Sequence, residues 1–304
     1  MVIVRIGGGL GNQFFQYAFA KSYSIKNQCD VLIDISGFKN RIINNNLSTA
    51  APHAYYCLKL YKTKLKIATE PQCAYVKSMA ANKDLAHSGL RKLFSKHEVP
   101  GAYLITNPSA SSELFNFKGN VYFQGTFGRE KLFKEYRDEL LKDLTLDISL
   151  GAKNIEMLEK IKTTNSASVH IRLGDYVRIG WDLPVSYYLD AIKYLIEKEK
   201  NIHFYIFSNE IAWVKENLKI DAPYTIVDIN PPNKGYYDLE LMKNCKHNII
   251  ANSTFSWWAA WLNQHPEKTI LVPEPWNTHP RFYDGKTDKC KDLAPESWIR
   301  IKRI

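Results

Sequence analysis

The sequence predicts an α/β fold in which helices cover parallel sheets. In the second half of the chain, short apolar runs alternate regularly with longer amphipathic segments, a pattern typical of βα units. Near the N-terminus, a strand-like run leads through a glycine-rich turn into a helical pattern. The 304 residues suffice for one large domain or two domains of ordinary size, each with its own core.

The start of the chain reads as strand, glycine-rich turn, helix and strand. The pattern predicts a strand over Val2–Ile6, a turn over Gly7–Asn12, a helix over Gln13–Lys26 and a strand over Val31–Ile35. Glycines let a ligand approach the backbone, and the free N–H groups at a helix start attract anions. The turn fits a dinucleotide-binding GxGxxG motif only loosely, because Asn12 stands where the last glycine should be.

The middle of the chain is less regular. Residues 36–120 are rich in Lys, Asn, Ser and Ala without a clean period, so we expect short helices and loops that meet a specific partner molecule. A strand at Val121–Phe127 and an amphipathic helix at Arg129–Leu144 follow. The stretch after this helix, Leu146–Lys153 with Gly151, is expected to connect two domains, 1–150 and 151–304.

Beyond this connection the alternation of strands and helices is regular. The predicted elements are helix Asn154–Lys162, strand 166–172, helix Tyr187–Lys198 with Ser186 as its cap, strand Ile202–Phe207, helix Ile211–Leu218, strand Tyr224–Val227, helix Tyr237–Asn244, strand Asn248–Ala251, helix Thr254–Gln264 and strand Thr269–Val272. This alternation predicts a parallel sheet covered on both faces. Ligands of such sheets bind beyond the carboxyl ends of the strands.

Composition and charge restrict the class of protein. Hydrophobic residues make up 45% and aromatic residues 13%, which indicates a globular chain. The net charge of +10 favours an acidic ligand, nucleic acid or an anionic membrane surface. The lysines are scattered, so a solvated surface is the first interpretation and attraction to a membrane the second.

Cysteine usage and hydropathy indicate the compartment. The five cysteines are widely spaced and form no CxxC, which argues against a disulfide framework or zinc site and favours a reducing compartment. The N-terminus lacks the basic and apolar regions of a signal peptide, and no segment reaches roughly 18 uninterrupted apolar residues. We therefore expect a soluble cytoplasmic protein, with peripheral contact to the inner membrane as a secondary expectation.

The strand predicted at 166–172 ends in charged residues. Val169 and Ile171 alternate with His170 and Arg172, so the imidazole and the guanidinium leave the same face. A cation beyond the C-terminal end of a strand suits an anionic ligand such as a phosphate. The alternative is a strand end that carries an ordinary surface pair, Arg172 and Asp175.

Two other strand ends add polar candidates. Asn209 and Glu210, after Ser208, suit the edge of a nucleobase, although capping of the loop explains them equally well. The run Asn252–Ser256 places hydroxyls and N–H groups at a helix start, where capping by Ser253 and phosphate binding are compatible. The tryptophans that follow are interpreted as core residues.

The aspartates are isolated and form no DxD sequence or obvious metal cluster. Two features directed at phosphate, Arg172 and the helix start at Ser253, together suggest a diphosphate ligand. If this diphosphate is a leaving group, we expect the arginine and the helix dipole to neutralise its charge without a metal ion. This combination suits a metal-independent sugar-nucleotide transferase.

Four runs carry a family resemblance: GGLGNQFFQY at 8–17, HIRLGDY at 170–176, DLELM at 238–242 and IANSTFSWW at 250–258. With them the chain resembles the bacterial α-1,2-fucosyltransferases of glycosyltransferase family 11. The resemblance implies a GT-B-like fold of two facing Rossmann-like domains, 1–150 for the acceptor and 151–304 for GDP-β-L-fucose. It also implies inverting transfer to the 2-hydroxyl of a terminal galactoside without a metal ion.

The resemblance also implies roles for individual residues. Arg172 would bind the β-phosphate with support from His170, and Asp175 would act either as the base or as the residue that orients Arg172. Where many relatives have an acidic residue near the guanine, this chain has Asn209, so Glu210 or Asp228 is the alternative contact. The full set of implied donor-site residues is Gly9, Gly11, Asn12, His170, Arg172, Ser208, Asn209, Glu210, Asn252, Ser253, Thr254, Phe255 and Ser256.

Three other functions remain open at this point. The same fold could transfer another deoxysugar or use another acceptor hydroxyl. The glycine turn alone suggests a dinucleotide-dependent oxidoreductase, and the positive charge suggests nucleic-acid binding without the interleaved aromatic residues that this binding uses. For a transferase, a lipid-linked oligosaccharide of surface-polysaccharide (O-antigen-type) assembly is the acceptor that fits the charge and compartment.

Overall fold

The computed structural model describes residues 1–38, 55–81, 99–107 and 111–303. The chain divides into two compact units, Met1–Asp147 and Ile148–Ile304. Each unit contains one sheet in which the paired strands run parallel. The predicted α/β class, with the two Rossmann-like parallel sheets of a GT-B-like protein, is confirmed.

Unit 1 has five strands among its described residues: β1 (Val2–Arg5), β2 (Val31–Asp34), β3 (Lys66–Ile67), β4 (Val99–Thr106) and β5 (Phe117–Gln124). Its α-helices are α1 (Leu10–Asn27), α2 (Glu70–Ala81) and α3 (Arg137–Asp143), with 3₁₀ turns at Leu58–Leu60, Ser112–Asn116, Glu130–Leu132 and Lys134–Tyr136. The strand order is β3-β2-β1-β5-β4. The order reverses between β1 and β5, and sheets of this type bind ligands beyond the carboxyl ends of such a strand pair.

Aromatic packing holds α1 on the sheet of unit 1. Phe15, Phe19 and Tyr23 are buried along one side of the helix, and the Phe19 ring stacks on that of Phe127 at a centroid distance of 4.2 Å. Full burial of a side chain of this size contributes roughly 1.5–3 kcal/mol. This packing fixes the N-terminus of α1 directly after β1.

Unit 1 differs from the sequence-based expectation in its boundaries. Helix α1 begins three residues earlier than predicted, because Gly9 with extended backbone is its N-cap residue. The strand predicted at Val121–Phe127 begins at Phe117 and pairs along its length with β4, which the sequence did not predict. Gly119 obscured the pattern, yet only glycine fits there, since a Cβ would lie 2.5 Å from the carbonyl oxygen of Gly101. The helix predicted from Arg129 forms two 3₁₀ turns before α3.

Over residues 148–303, unit 2 contains six strands: β6 (Asn165–Ile171), β7 (Ile202–Ser208), β8 (Tyr224–Ile226), β9 (His247–Ile249), β10 (Ile270–Glu274) and β11 (Ile299–Lys302). Its helices are α4 (Ala152–Thr163), α5 (Asp175–Arg178), α6 (Val185–Lys198), α7 (Ile211–Asn217), α8 (Gly235–Lys243) and α9 (Thr254–Leu262), with 3₁₀ turns at Pro232–Lys234 and Lys291–Leu293. The order β11-β10-β9-β6-β7-β8 reverses between β6 and β9. None of the helices in the described ranges is long and apolar enough to cross a membrane.

The alternation predicted for unit 2 is confirmed, with two corrections. Strand β11, separated from β10 by 24 residues, was missed although Ile299–Lys302 alternates apolar and charged side chains. Ser186 does not cap α6: the helix begins at Val185, and Pro184 occupies the cap position with φ −64° and ψ 151°. The tryptophans of α9 lie in the core as predicted, with Trp257 and Trp258 at most 1% exposed.

A polar network joins α8 to α4 within unit 2. The amides of Asn154 and Asn230 donate to each other at 2.9 and 2.8 Å, and Asn230 Nδ2 also donates to Asp238 Oδ1 at 2.8 Å. Desolvation of the Asp238 carboxyl, with a contribution from nearby Asp228, raises its pKa to about 7 against the opposing effect of the Asn230 bond.

We predict that Asp238→Asn stabilises the protein more at pH 8 than at pH 5. The raised pKa means that the folded state holds its proton up to about pH 7, whereas the unfolded chain releases it near 3.8. Ionisation therefore destabilises the wild-type fold progressively as the pH rises between these values. Melting temperatures of variant and wild type at both pH values measure the effect.

The matched control is Asp190→Asn, at an exposed position on α6. Its melting temperature relative to wild type should be the same at pH 5 and pH 8. An equal effect of Asp238→Asn at both pH values would contradict the prediction.

Candidate active site

The candidate site of unit 2 lies where β6 ends beside β9. Arg172 follows the last residue of β6, and Ser253 precedes the first residue of α9, shortly after β9. Strands β6 and β9 are paired neighbours at the point where the strand order reverses. The charged residues at the end of β6 and the N-terminus of α9 with its hydroxyls were both predicted from the sequence. The fold therefore brings these two features next to each other.

The Arg172 guanidinium is held in place by two contacts. Its Nη2 donates to Asp175 Oδ1 at 2.6 Å, and its Cζ lies 5.3 Å from the centre of the Tyr176 ring. The Arg172 side chain is 15% exposed, and its Nε has no acceptor among the described residues. The cation is thus oriented and largely desolvated while part of its donor capacity is unused, which suits an anionic ligand.

His170 is present in the site, but as a neutral group. Its side chain is buried, its ring lies 5.5 Å from that of Phe255, and its Nδ1 has no hydrogen-bond partner in the described chain. Desolvation and then the charge of Arg172 lower the pKa of His170 to about 3. His170 therefore adds no positive charge at neutral pH, and any support it gives to a phosphate pocket comes from a neutral imidazole.

The start of α9 is capped as the sequence predicted. Ser253 Oγ accepts from the N–H of Phe255 at 3.4 Å. Thr254 and Phe255 are partly exposed, whereas Ser256 is buried and its hydroxyl lies 3.5 Å from the carbonyl oxygens of Ala251 and Ser253. In this structure the Ser256 hydroxyl is buried against backbone carbonyls at the helix start, and its role as a phosphate ligand stays a prediction.

Asn252 joins the end of β9 to the loop that follows α5. Its Nδ2 donates to the carbonyl oxygen of Trp181 at 2.7 Å, and the buried Oδ1 has no partner in the ranges that the structure describes. The Nδ2 group has a second N–H that this bond does not use, so the contact with Trp181 does not exclude a phosphate. Asn252 anchors this loop in the structure, and its role as a phosphate ligand stays a prediction.

The turn after β7 caps itself and contacts the turn after β6. Ser208 Oγ accepts from the N–H of Glu210 at 3.0 Å, and Asn209 Oδ1 accepts from the N–H of Leu173 at 2.9 Å. Of the two interpretations left open by the sequence, loop capping is the one observed for Ser208 and Asn209. Asp228 is the alternative predicted guanine contact. Its Oδ2 lies 3.7 Å from Lys215 Nζ in an exposed ion pair.

Gly174 is required by the geometry of this turn. Its backbone has φ +64°, which side chains disfavour, and a Cβ would lie 2.6 Å from Asn209 Nδ2 and 2.9 Å from Glu210 Oε1. The residue acts as the N-cap position of α5, which carries Asp175. A glycine here lets the chain bring Asp175 back to Arg172.

The remaining predicted residues belong to unit 1. Gly9 is the N-cap residue of α1, and Gly11 and Asn12 lie in the first helical turn rather than in the preceding loop. Gly8 has φ +78°, so the tight turn itself is formed one residue before Gly9. The predicted glycine loop is therefore shorter than the sequence suggested.

Two glutamines that the sequence analysis did not single out hold this glycine turn. Gln13 Nε2 donates to the carbonyl oxygen of Gly8 at 2.9 Å. Gln16 Oε1 accepts from Gly7 N–H at 2.8 Å while its Nε2 donates to the carbonyl oxygen of Gly125 at 3.1 Å. Gln16 thus links the loops after β1 and β5. Gln13 and Gln16 both lie in the GGLGNQFFQY run, and this run is the sequence signal from which they could have been identified.

Metal-ligating side chains do not cluster in the described ranges, where no group of three or more His, Cys, Asp or Glu residues could hold an ion. The site that the structure presents consists of the oriented Arg172–Asp175 pair, the neutral His170 and the capped start of α9. Chemically, this arrangement can bind and stabilise a negatively charged oxygen.

Comparisons with known proteins identify the family. The model of glycosyl transferase family 11 matches residues 1–302. Over the whole chain and 99% of the relative, the sequence is 31% identical to an alpha-1,2-colitosyltransferase of Escherichia coli. It is 28% identical to the O-antigen biosynthesis glycosyltransferase WbnK of Escherichia coli, over 97% of the chain and 99% of the relative.

A shorter match involves an animal enzyme. The chain is 26% identical to galactoside alpha-(1,2)-fucosyltransferase 2 of Sus scrofa, over 43% of the chain and 42% of that protein. The family match extends over both units and all four sequence motifs. The chain therefore belongs to glycosyltransferase family 11 and is a glycosyltransferase.

Proposed function

We propose that this protein transfers L-fucose from GDP-β-L-fucose to the 2-hydroxyl of a terminal galactoside and forms an α-1,2-fucoside. Membership in the family and the names of the α-1,2-specific relatives support the sugar and the linkage. The observation that carries the proposal is the desolvated Arg172 guanidinium, oriented by Asp175 beside the capped start of α9. A diphosphate leaving group needs such a partner.

The proposed reaction inverts the anomeric centre. The acceptor hydroxyl attacks the anomeric carbon, the bond to the diphosphate oxygen breaks, and its electron pair leaves with GDP. Attack opposite to the leaving group converts the β-linked donor into an α-linked product. Arg172 stabilises the charge that grows on the diphosphate, a type of contribution worth about 10²–10³ in rate.

Asp175 is proposed to orient Arg172 rather than to act as the base. One of its carboxylate oxygens lies 2.6 Å from Arg172 Nη2. This short contact holds the guanidinium in one direction, and that geometry supports the orienting role. The proton of the acceptor hydroxyl then leaves to another group or to solvent late in a dissociative transition state.

The two units are proposed to divide the substrates between them. Residues 151–304 bind GDP-fucose through Arg172 and the start of α9, and residues 1–150 bind the acceptor. Gly9, Gly11 and Asn12 lie at the carboxyl edge of the sheet of unit 1, where Rossmann-like sheets bind ligands. We propose that no metal ion takes part, because an arginine and a helix start supply the positive potential.

A second candidate donor is the GDP-activated form of colitose. The 31% identity with an alpha-1,2-colitosyltransferase over the whole chain favours it. Colitose is fucose without the 3-hydroxyl group, so both sugars could use the same leaving group and the same Arg172 chemistry. Surface-polysaccharide assembly on a lipid-linked acceptor is the proposed setting for either donor, supported by the O-antigen relative.

The donor experiment compares the two nucleotide sugars directly. We predict a higher kcat/KM with GDP-fucose, because a site that hydrogen-bonds a hydroxyl group discriminates strongly against the analogue without it. Initial rates with a β-galactoside acceptor and NMR of the product give both the donor preference and the linkage. A preference for GDP-colitose would replace the proposed donor, and a product linked elsewhere than at the 2-hydroxyl would contradict the proposed regiochemistry.

The role of Arg172 is tested by substitution. We predict that Arg172→Ala lowers kcat by about 10²–10³ and weakens GDP binding, because the leaving diphosphate loses its charged partner. Arg172→Lys should recover only part of the rate, since an ammonium cannot reproduce the planar donor arrangement. Turnover assays and calorimetric titration with GDP, with and without EDTA, provide the measurements.

Arg281→Ala is the matched control, because Arg281 is an exposed arginine of unit 2 whose guanidinium lies over the Phe282 ring. Its activity should equal that of the wild type. Normal transfer by a folded Arg172→Ala protein would refute the mechanism, and a rate lost on addition of EDTA would refute its independence of metal ions.

A further inference from the structure

The turn after β7 supports the turn that carries Arg172. Asn209 reaches across from the end of β7 to the end of β6, where its Oδ1 accepts from the N–H of Leu173 at 2.9 Å. Leu173 lies directly between Arg172 and Gly174. The bond therefore fixes the backbone at the point where β6 gives way to α5.

The orientation of the Asn209 amide follows from its partner. The Leu173 N–H can only donate, so the Asn209 atom that faces it must be the oxygen. The Nδ2 group then lies on the side of Gly174, only 2.6 Å from the position that a Cβ would occupy. Both ends of the amide are thus packed against the same turn.

This turn determines where the Arg172–Asp175 pair forms. Gly174 with φ +64° is the N-cap residue of α5, and Asp175 is the first residue of that helix. The ion pair spans only three residues, so a shift of the Leu173–Gly174 backbone moves its two members relative to each other. Arg172 has one hydrogen bond to a side chain within the described residues, the bond to Asp175.

We propose that Asn209 is a positioning residue for Arg172. By holding the Leu173 N–H, it fixes the turn that sets the distance and direction of the guanidinium relative to Asp175. This inference rests on the proposed function, in which Arg172 binds the leaving diphosphate. It assigns Asn209 an effect through Arg172 and no contact with the nucleobase.

The test uses two substitutions at Asn209. Asn209→Ala removes the acceptor of the Leu173 N–H, and we expect kcat to fall about 10- to 100-fold, the scale of a catalytic group displaced by about 1 Å. Asn209→Asp retains an acceptor oxygen at this position and should stay within about threefold of the wild type. Asn217→Ala, which removes another exposed amide that bonds a backbone carbonyl nearby on α7, should leave kcat unchanged.

A double-mutant cycle separates positioning from direct binding. In the Arg172→Ala background, adding Asn209→Ala should change kcat and the GDP dissociation constant by less than about twofold, because residues that act through one another are not additive. An undiminished effect of Asn209→Ala in this background, or an Asn209→Asp variant as impaired as Asn209→Ala, would overturn the inference. Circular dichroism and melting temperatures confirm that each variant is folded.

The two levels of the proposal fail in different ways. If Arg172→Ala alone transfers sugar normally, the proposed function of Arg172 is wrong. If Arg172→Ala is impaired while Asn209→Ala is fully active, only the positioning role is wrong. If Asn209→Ala changes the preference for GDP over UDP in both backgrounds, Asn209 contacts the nucleobase and the inference is rejected.

Discussion

The Arg172–Asp175 ion pair is the interaction on which the site of unit 2 depends. A guanidinium that is only 15% exposed is costly to desolvate unless its partners are fixed in advance. The structure provides Asp175 at 2.6 Å and the Tyr176 ring below the cation. Gly174 supplies the backbone conformation that allows this close pairing. The charge is thereby held at the edge of the sheet while part of its hydrogen-bonding capacity remains for a ligand.

The sequence predicted unit 2 better than unit 1 for a physical reason. In unit 2 the strands β6, β7, β9 and β10 are short runs buried over most of their length, and they alternate with helical segments, so the two periods are visible in the sequence. In unit 1 the paired strands β4 and β5 contain Gly101 and Gly119, whose backbones pack closely. Glycines lower the strand signal, although the fold requires them. Strand β11 carries a local alternation of apolar and charged residues over Ile299–Lys302, but its pairing with the distant β10 could not be inferred from that pattern.

The site was predictable to the level of residue type and strand end. Arg172, Asp175 and Ser253 were found because a charged turn after a strand and a hydroxyl at a helix start are local patterns. The contacts of Asn252 and Asn209 could not be predicted, because each amide bonds a backbone group that is distant in sequence. Burial likewise decided the charge of His170 and the inward direction of Ser256. Desolvation and contacts distant in sequence are properties of the folded chain and leave no trace in a short motif.

We propose that Arg172 and the start of α9 hold the leaving diphosphate. A crystal structure of the protein with bound GDP is the direct test. We expect a β-phosphate oxygen about 2.7–2.9 Å from a guanidinium nitrogen of Arg172, the distance of a charge-assisted hydrogen bond. The phosphates should also lie at the N–H groups of the first turn of α9. A diphosphate bound away from Arg172, with the guanidinium still directed only at Asp175, would refute this proposal.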